Sequence, residues 1–222
     1  ALDLLKRKNF SRICVSPEVS KAIAPHVTNY SLSCTIPNVI DTKLFYPTNH
    51  RKTSPHKLKV LYANWKNTFG NQIRDHWKSM NTPYNITFES IDQLISQNTL
   101  ADRMRNTDIF IGTPNPMEGF YLAPLEAMAS AVAVICPDVI GNRSFCIPNV
   151  TCLMPTYNDI DEHIQALRKL VEHGKLRKKI VRRNQQKVCS LNMIQKNSLM
   201  KSLEKYTHLA ISLEVNFHFK HR

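Results

Sequence analysis

Residues 108–142 read DIFIGTPNPMEGFYLAPLEAMASAVAVICPDVIGN, and the fold turns on them. Asp108–Ile111 is a short apolar run of strand type. Gly112–Tyr121 reads as a loop. Leu122–Ser130 reads as a helix with Pro124 in its first turn, where a proline's missing N–H is tolerated. Val132–Cys136 is again a strand-type run. Strand, loop, helix and strand in this order are the repeating unit of a parallel sheet covered by helices.

The flanking sequence repeats the theme. Upstream, Lys59–Ala63 and Tyr84–Phe88 are strand candidates, and Asn71–Met80 has helical spacing through Ile73, Trp77 and Met80. Ile91–Asn106 carries two short helical patterns broken near Asn98. Downstream, Thr151–Met154 reads as a short strand, and the chain from Asp159 to about Val215 reads as helix. Near the start, residues 12–16 form a strand candidate, Pro17 opens a helix through Ile23, and Thr35–Ile40 is extended. The expected class is α/β, a Rossmann-like parallel sheet flanked by helices with a helical C-terminal tail.

Composition narrows the functions. The 222 residues suffice for a hydrophobic core. The longest apolar stretch, Ala127–Cys136, is about half a membrane span. Six cysteines without a CxxC pair read as reduced thiols of a cytoplasmic protein, and neither they nor the histidines show metal-ligand spacing. His163 and His173 are expected on the outer helical region. The net charge of +13 favours polyanionic neighbours. Its densest run, Lys175–Arg183, holds six cations in nine residues, either a solvated helix face or a surface for anionic lipid. No nucleic-acid recognition motif accompanies the charge, so nucleic acid is disfavoured as a partner.

A site is expected in the central stretch. The loop 112–121 follows the carboxyl end of a parallel strand, where open α/β sheets bind ligands. The helix after it offers unpaired N–H groups and a positive dipole end to a phosphate. Gly119 would let the backbone approach that phosphate. Glu118 and Glu126 flank the position, and a carboxylate can accept two hydrogen bonds from a sugar or ribose diol. Spacing alone leaves a second reading open, in which Glu118 is a solvated loop charge and Glu126 a surface helix charge. Trp65 and Trp77 read as packing residues rather than sugar platforms.

Glu118-Gly119-Phe120-Tyr121-Leu122-Ala123-Pro124-Leu125-Glu126-Ala127-Met128-Ala129 resembles the donor motif of GT-B fold retaining glycosyltransferases of the family 4 type (glycosyl transferases group 1). Cys14-Val15-Ser16, Ile36-Pro37-Asn38-Val39-Ile40-Asp41 and Phe45-Tyr46-Pro47 resemble that family's entry into its C-terminal domain, and 182–209 its closing helices. The resemblance implies four segments. Residues 1–45 would be the tail of an N-terminal Rossmann-like domain, and 46–57 a linker. Residues 58–187 would be the C-terminal nucleotide-sugar-binding Rossmann-like domain, and 188–222 a closing helix and basic tail. The rest of the first domain, with the acceptor pocket, would lie upstream.

The resemblance also implies roles. Glu118 would be the catalytic carboxylate on the donor sugar hydroxyls, and Glu126 would bind the ribose. The N–H groups of Phe120, Tyr121 and Leu122, beside Gly119, would meet the diphosphate. The substrates would be a nucleoside-diphosphate sugar and an acceptor glycan or lipid-linked sugar, with no metal and no further cofactor. The setting would be polysaccharide or glycoconjugate assembly, in the cytoplasm or peripherally on the inner membrane face. Two cationic places of the family fall on Asn64 and Phe69, and the nearby Lys66 and Arg74 are either substitutes for them or ordinary surface charges. Ala131 and Ala133 replace a Gly and a Pro of the family pattern. Two rivals are an inactive nucleotide-sugar-binding module and a basic nucleic-acid-binding protein.

Overall fold

The computed structural model of the protein describes residues 2–7, 12–27, 33–48, 57–65 and 67–219, with the backbone alone for Leu2 and for 204–219. Lys66 and most of the expected linker lie outside these residues. Two units form, Ala1–Val39 with Ser190–Arg222, and Ile40–Cys189. Residues 40–45 thus group with the larger unit, where Ile40 and Phe45 are buried.

The smaller unit holds α1 (Leu2–Leu5), β1 (Arg12–Cys14), α2 (Pro17–Ile23), a 3-10 turn (Ala24–His26) and β2 (Ser33–Thr35). β1 and β2 run parallel. Hydrogen bonds from Ile36 N to the Cys14 carbonyl (2.9 Å) and from Asn38 N to the Val15 carbonyl (3.3 Å) carry the pairing past β2. The start of α2 follows from its sequence: Ser16 Oγ accepts from Val19 N at 3.1 Å, and Pro17 sits where no N–H is needed.

The larger unit runs β3 (Lys57–Ala63), α3 (Phe69–Ser79), β4 (Asn85–Ile91), α4 (Gln97–Arg105), β5 (Ile109–Ile111), α5 (Leu122–Ala129) and β6 (Ala133–Ile135). A 3-10 turn (Ile140–Asn142), α6 (Ile160–Glu172) and α7 (Gly174–Phe219) follow, α7 belonging to this unit as far as Cys189. The sheet is fully parallel in the order β4-β3-β5-β6. β5 and β6 are buried at every residue, as strands covered on both faces must be. The core gathers Val60, Tyr62, Ile111 and Ile135 of the sheet with Ile73 and Trp77 of α3 and Leu167 and Leu170 of α6. Trp77 is the packing residue its spacing predicts.

Three expectations change. The helix between β4 and β5 is a single one. Ile91 closes β4 in register with Ala63, Ser96 Oγ caps α4 by accepting from Thr99 N at 3.1 Å, and Asn98 lies inside the first turn. Thr151–Met154 forms no strand. The chain turns tightly at Asn149 (φ 60°), leaving isolated bridges of Leu153 to Ile135 and Cys152 to Pro148. His163 is fully buried rather than on an outer face. Its Nδ1 lies 2.6 Å from the Asp159 carbonyl, its ring meets Phe69 edge-on at 5.0 Å, and burial pushes its pKa down.

The turn from α5 into β6 is a Schellman closure. Val132 N donates to the Ala127 carbonyl (2.9 Å) and Ala131 N to the Met128 carbonyl (3.2 Å). The residue in the left-handed position is Ala131, with φ 59°, where glycine is the usual occupant because a Cβ is disfavoured there. Ala131→Gly is therefore expected to stabilise the protein by about 1 kcal/mol. Urea unfolding of the two proteins checks this, and an unchanged or lower midpoint for the glycine variant would contradict the strain.

Candidate functional site

The chain leaves β3 toward β4 on one side and returns to β5 on the other, so the strand order reverses between β3 and β5. A crevice opens at the carboxyl ends of strands at such a point. Here Thr113 Oγ1 donates to the Ala63 carbonyl (2.7 Å), and Asn67 Nδ2 donates to the Thr113 carbonyl (3.2 Å). These bonds join the two strand ends. Above them lies a cavity of about 300 Å³, at the lower end of the range for ligand pockets. Its floor includes Ala63, Phe110 and Thr113, one wall includes Glu118, Phe120, Tyr121, Leu122, Ala123 and Glu126, and the other Trp65, Ile91, Leu94 and Ile95.

The loop from β5 to α5 is held from several sides. Tyr121, buried, accepts on its hydroxyl from Thr113 N at 3.2 Å, and burial drives its pKa up. Glu118 N donates to the Asn115 carbonyl at 3.1 Å. Phe120 packs on Phe145 with ring centroids 5.5 Å apart. The 3-10 turn supplies the remaining contact: Tyr121 N donates to the Gly141 carbonyl at 2.9 Å. A Cβ on Gly141 would stand 2.5 Å from the Glu118 carbonyl oxygen and 2.9 Å from the Phe120 and Tyr121 nitrogens. Only glycine permits this approach. Sequence reasoning assigned Gly141 nothing. Its signal is slight: one of five glycines in the chain, following a strand.

The anion-binding expectation is altered in detail. The amide of Tyr121 is committed to Gly141 and is not offered to a phosphate. Pro124 has no N–H. The first-turn donors of α5 without an intrahelical acceptor are those of Leu122 and Ala123, both at the cavity. Gly119 has no positive φ, so the left-handed region is not what calls for glycine there.

Glu126 departs most from an ordinary helix glutamate. Helix α5 is buried from Pro124 to Ala129, because it is apolar nearly all round and is covered rather than surface-lying. Gln185 Nε2 closes on its C-terminal carbonyls, including that of Ala129 at 3.1 Å. Glu126 is thereby carried inside, 6 % exposed, with its remaining opening at the cavity. Burial raises its pKa to about 7, and no described side chain pairs with it. Glu118 is half-buried on the same cavity. The structure thus brings both carboxylates to one pocket, and the surface-charge reading of Glu126 falls.

Among the described residues Arg74 does not arrive with them. Lys66 is outside the described residues. Arg74 is engaged elsewhere: its guanidinium pairs with Asp75 (2.7 Å) and donates to Asn71 Oδ1 (2.9 Å) and the Tyr62 hydroxyl (3.1 Å). Asn64 Nδ2 donates to Asp92 Oδ1 at 3.1 Å, and Phe69 packs on His163. Trp65 corrects its expectation too. It is 45 % exposed and lines the cavity rather than packing in the core. Among the described residues no cluster of His, Cys, Asp and Glu could hold a metal ion, and no helix is long and apolar enough to cross a membrane.

Residues 91–187 match the family model of glycosyl transferases group 1. No curated protein matches the chain. Among solved structures the fold is similar to sucrose-phosphate synthase from Thermosynechococcus elongatus (TM-score 0.72, 18 % identity). The match covers 94 % of this chain and 61 % of that one, so the chain spans under two thirds of that protein's length. It is also similar to Anabaena Alr3699/HepE in complex with UDP and glucose (TM-score 0.68, 14 % identity, 91 % and 65 % covered). A third is the C-terminal domain of LpcC, a glycosyl transferase group 1 family protein from Francisella tularensis (TM-score 0.55, 19 % identity, 68 % and 97 % covered). These likenesses establish the fold.

The buried carboxyl makes a prediction of its own. With the folded pKa near 7 and the ordinary value at 4.5, the folded state holds a proton that the unfolded state has lost between those limits. The cost of Glu126 is absent below about pH 4.5, grows as pH rises, and is complete above about pH 7, on the order of 3 kcal/mol. Glu126→Gln should match the wild type near pH 5 and exceed its stability at pH 8. Urea unfolding at both pH values checks this, and a gap that does not change with pH would show that Glu126 is not desolvated.

Proposed function

We propose that this chain is the donor-binding portion of a glycosyltransferase. It would bind a nucleoside-diphosphate sugar at the carboxyl ends of β3 and β5. The sugar would pass to an acceptor hydroxyl with retention of configuration, in polysaccharide or glycoconjugate assembly. The observation that carries this reading is Glu126, a buried carboxylate without a described partner, opening on the same cavity as Glu118 and the amides of Leu122 and Ala123. Supporting it are the family match over residues 91–187 and UDP in the complex of a protein with a similar fold.

In this reading the ribose hydroxyls donate to Glu126, which must be ionised to accept both. The donor sugar's hydroxyls meet Glu118. The diphosphate lies at the first turn of α5, near the amides of Leu122 and Ala123. The bond from the anomeric carbon to the diphosphate breaks and a bond to the acceptor oxygen forms. Acceptor selection would belong to the part of the relatives' length that this chain does not span. The exposed cations Lys175, Lys178, Lys179, Arg182 and Arg183 would suit anionic lipid and a lipid-linked acceptor. Arg177 stands apart, with Nη1 donating to the Leu170 carbonyl at 2.6 Å.

A second reading has its own observation. Arg74 is held by Asp75, Asn71 and Tyr62, and a departing diphosphate needs fixed positive charge. A module that binds the nucleotide-sugar without transferring it fits that arrangement.

Melting temperatures measured with UDP, GDP, ADP and their sugar conjugates test the site. A ligand at a hundred times its Kd stabilises the native state by about 2.7 kcal/mol, so one nucleotide family should give a clear selective shift. Glu126→Ala should abolish it, and Glu118→Ala should erase the difference between nucleotide and nucleotide-sugar. Because ionised Glu126 is the accepting form, the shift should grow as pH rises through about 7. Equal shifts in wild type and both variants would refute the assignment.

A further inference from the structure

Helix α5 spans eight residues, Leu122–Ala129, about 12 Å along its axis. Its surface is apolar nearly all round, and apolar packing has no preferred direction. Such packing buries the helix without fixing how far it slides along its axis. Hydrogen bonds do have direction, and they reach the two ends of α5 from distant segments. At the N-terminal end Tyr121 N donates to the Gly141 carbonyl at 2.9 Å. At the C-terminal end the donors are two consecutive residues of α7. Gln185 Nε2 donates to the carbonyls of Met128 and Ala129, the latter at 3.1 Å. Asn184 Nδ2 donates to the Val132 carbonyl at 3.1 Å, just past the left-handed Ala131. Glu126 lies within a turn of this clamp, and Ser130 N donates to its carbonyl at 3.0 Å.

Asn184 is fully buried, and its Oδ1 has no partner among the described residues. An orphaned buried acceptor costs as much as a hydrogen bond contributes, or more. The asparagine therefore adds little net stability. What it supplies is a directed bond to the chain that leaves α5.

We infer that Asn184 and Gln185 are positioning residues, which hold α5 at one axial setting and so keep the Glu126 carboxyl withdrawn from water at the cavity. The use of that setting, to receive a ribose, rests on the donor-site reading above.

The surroundings leave burial as the property to read. Of the elements packed against α5, β5 and β6 are apolar. Helix α4 carries Asp102 and Arg105, paired with each other, and Arg103, paired with Glu89. Glu118 and Tyr121 share the cavity, and Arg182, Arg183 and Lys187 flank the clamp on α7. Burial is what raises the Glu126 pKa.

The test is the stability gap between Glu126→Gln and its parent, followed by urea unfolding without ligand between about pH 4 and pH 9. In the wild-type background the gap should be complete above about pH 7. In backgrounds carrying Gln185→Met or Asn184→Leu it should be complete about one pH unit lower, because a shifted α5 lets water reach the acid. Gln185→Lys, whose ammonium can still donate to helix-end carbonyls, should restore the wild-type profile. A side chain that merely stabilises the fold would lower both members of each pair equally and leave the gap untouched. Gln185 is half-buried, so its variants decide the matter even where Asn184→Leu does not fold. A gap that Gln185→Met leaves unmoved would overturn the inference. Melting shifts with UDP, GDP and ADP on the same proteins separate the two readings. Where a nucleotide binds, the pH at which its shift sets in should fall together with the gap. A gap that moves without any nucleotide response supports the clamp and overturns the donor-site reading. A nucleotide response with an unmoved gap overturns the clamp alone.

Discussion

The site depends on one constraint: α5 is a short helix covered on nearly every side. LAPLEAMA has a single polar residue, so the helix is most stable beneath its neighbours, and Gln185 closes its C-terminal end. Burying the helix buries Glu126. The cost of desolvating that carboxyl is offset by the apolar residues around it, since Leu125, Ala127, Met128 and Ala129 are all within 2 % of complete burial. Full burial of such side chains contributes about 1.5–3 kcal/mol each for the larger ones. The core thus holds a largely desolvated acid whose remaining opening is the cavity.

Close backbone approach is the second requirement, and three of the five glycines serve it. None has a positive φ. A Cβ on Gly70 would stand 2.1 Å from the Tyr62 ring, one on Gly112 2.8 Å from Cys136 Sγ, and one on Gly141 2.5 Å from the Glu118 carbonyl oxygen. They seat α3 on the sheet, β5 beside the end of β6, and the 3-10 turn against the loop that carries Glu118. The left-handed positions are taken instead by Ala131, Asn149 and Asn158. Asparagine tolerates that region and alanine does not, so the turn after α5 is held by its packing rather than by its residue.

Much of this was legible in the sequence. The strand and helix order follows from apolar period, and the pair Glu118 and Glu126 from the letters around it. What was not legible depends on contacts between distant segments. A glutamate within a helix reads as surface unless the covering of the whole helix is known. The amide of Tyr121 reads as a phosphate donor until the Gly141 carbonyl, twenty residues on, is found against it. Trp65 reads as core by its type. It lies just past the end of β3, and a residue beyond a strand's carboxyl end faces the crevice. His163 reads as an outer helix residue, but α6 turns that face to Phe69.

The two places where cations were expected are integrated into their surroundings. Asn64 takes part twice, its N–H to the Ile91 carbonyl (2.8 Å) and its side-chain amide to Asp92. An arginine there would keep the first bond and meet Asp92 as an ion pair, drawn away from the cavity rather than into it. Phe69 lies edge-on to a buried imidazole that burial keeps neutral. A lysine at 69 would place a charge where burial disfavours one. Neither place carries a cation, and each residue is tied to its own partner. Asp92 with Asn64 and Phe69 with His163 form two fitted pairs. At both places the residue present is matched to its neighbour, so the fit of each pair, and not its sequence position, decides which side chain can stand there.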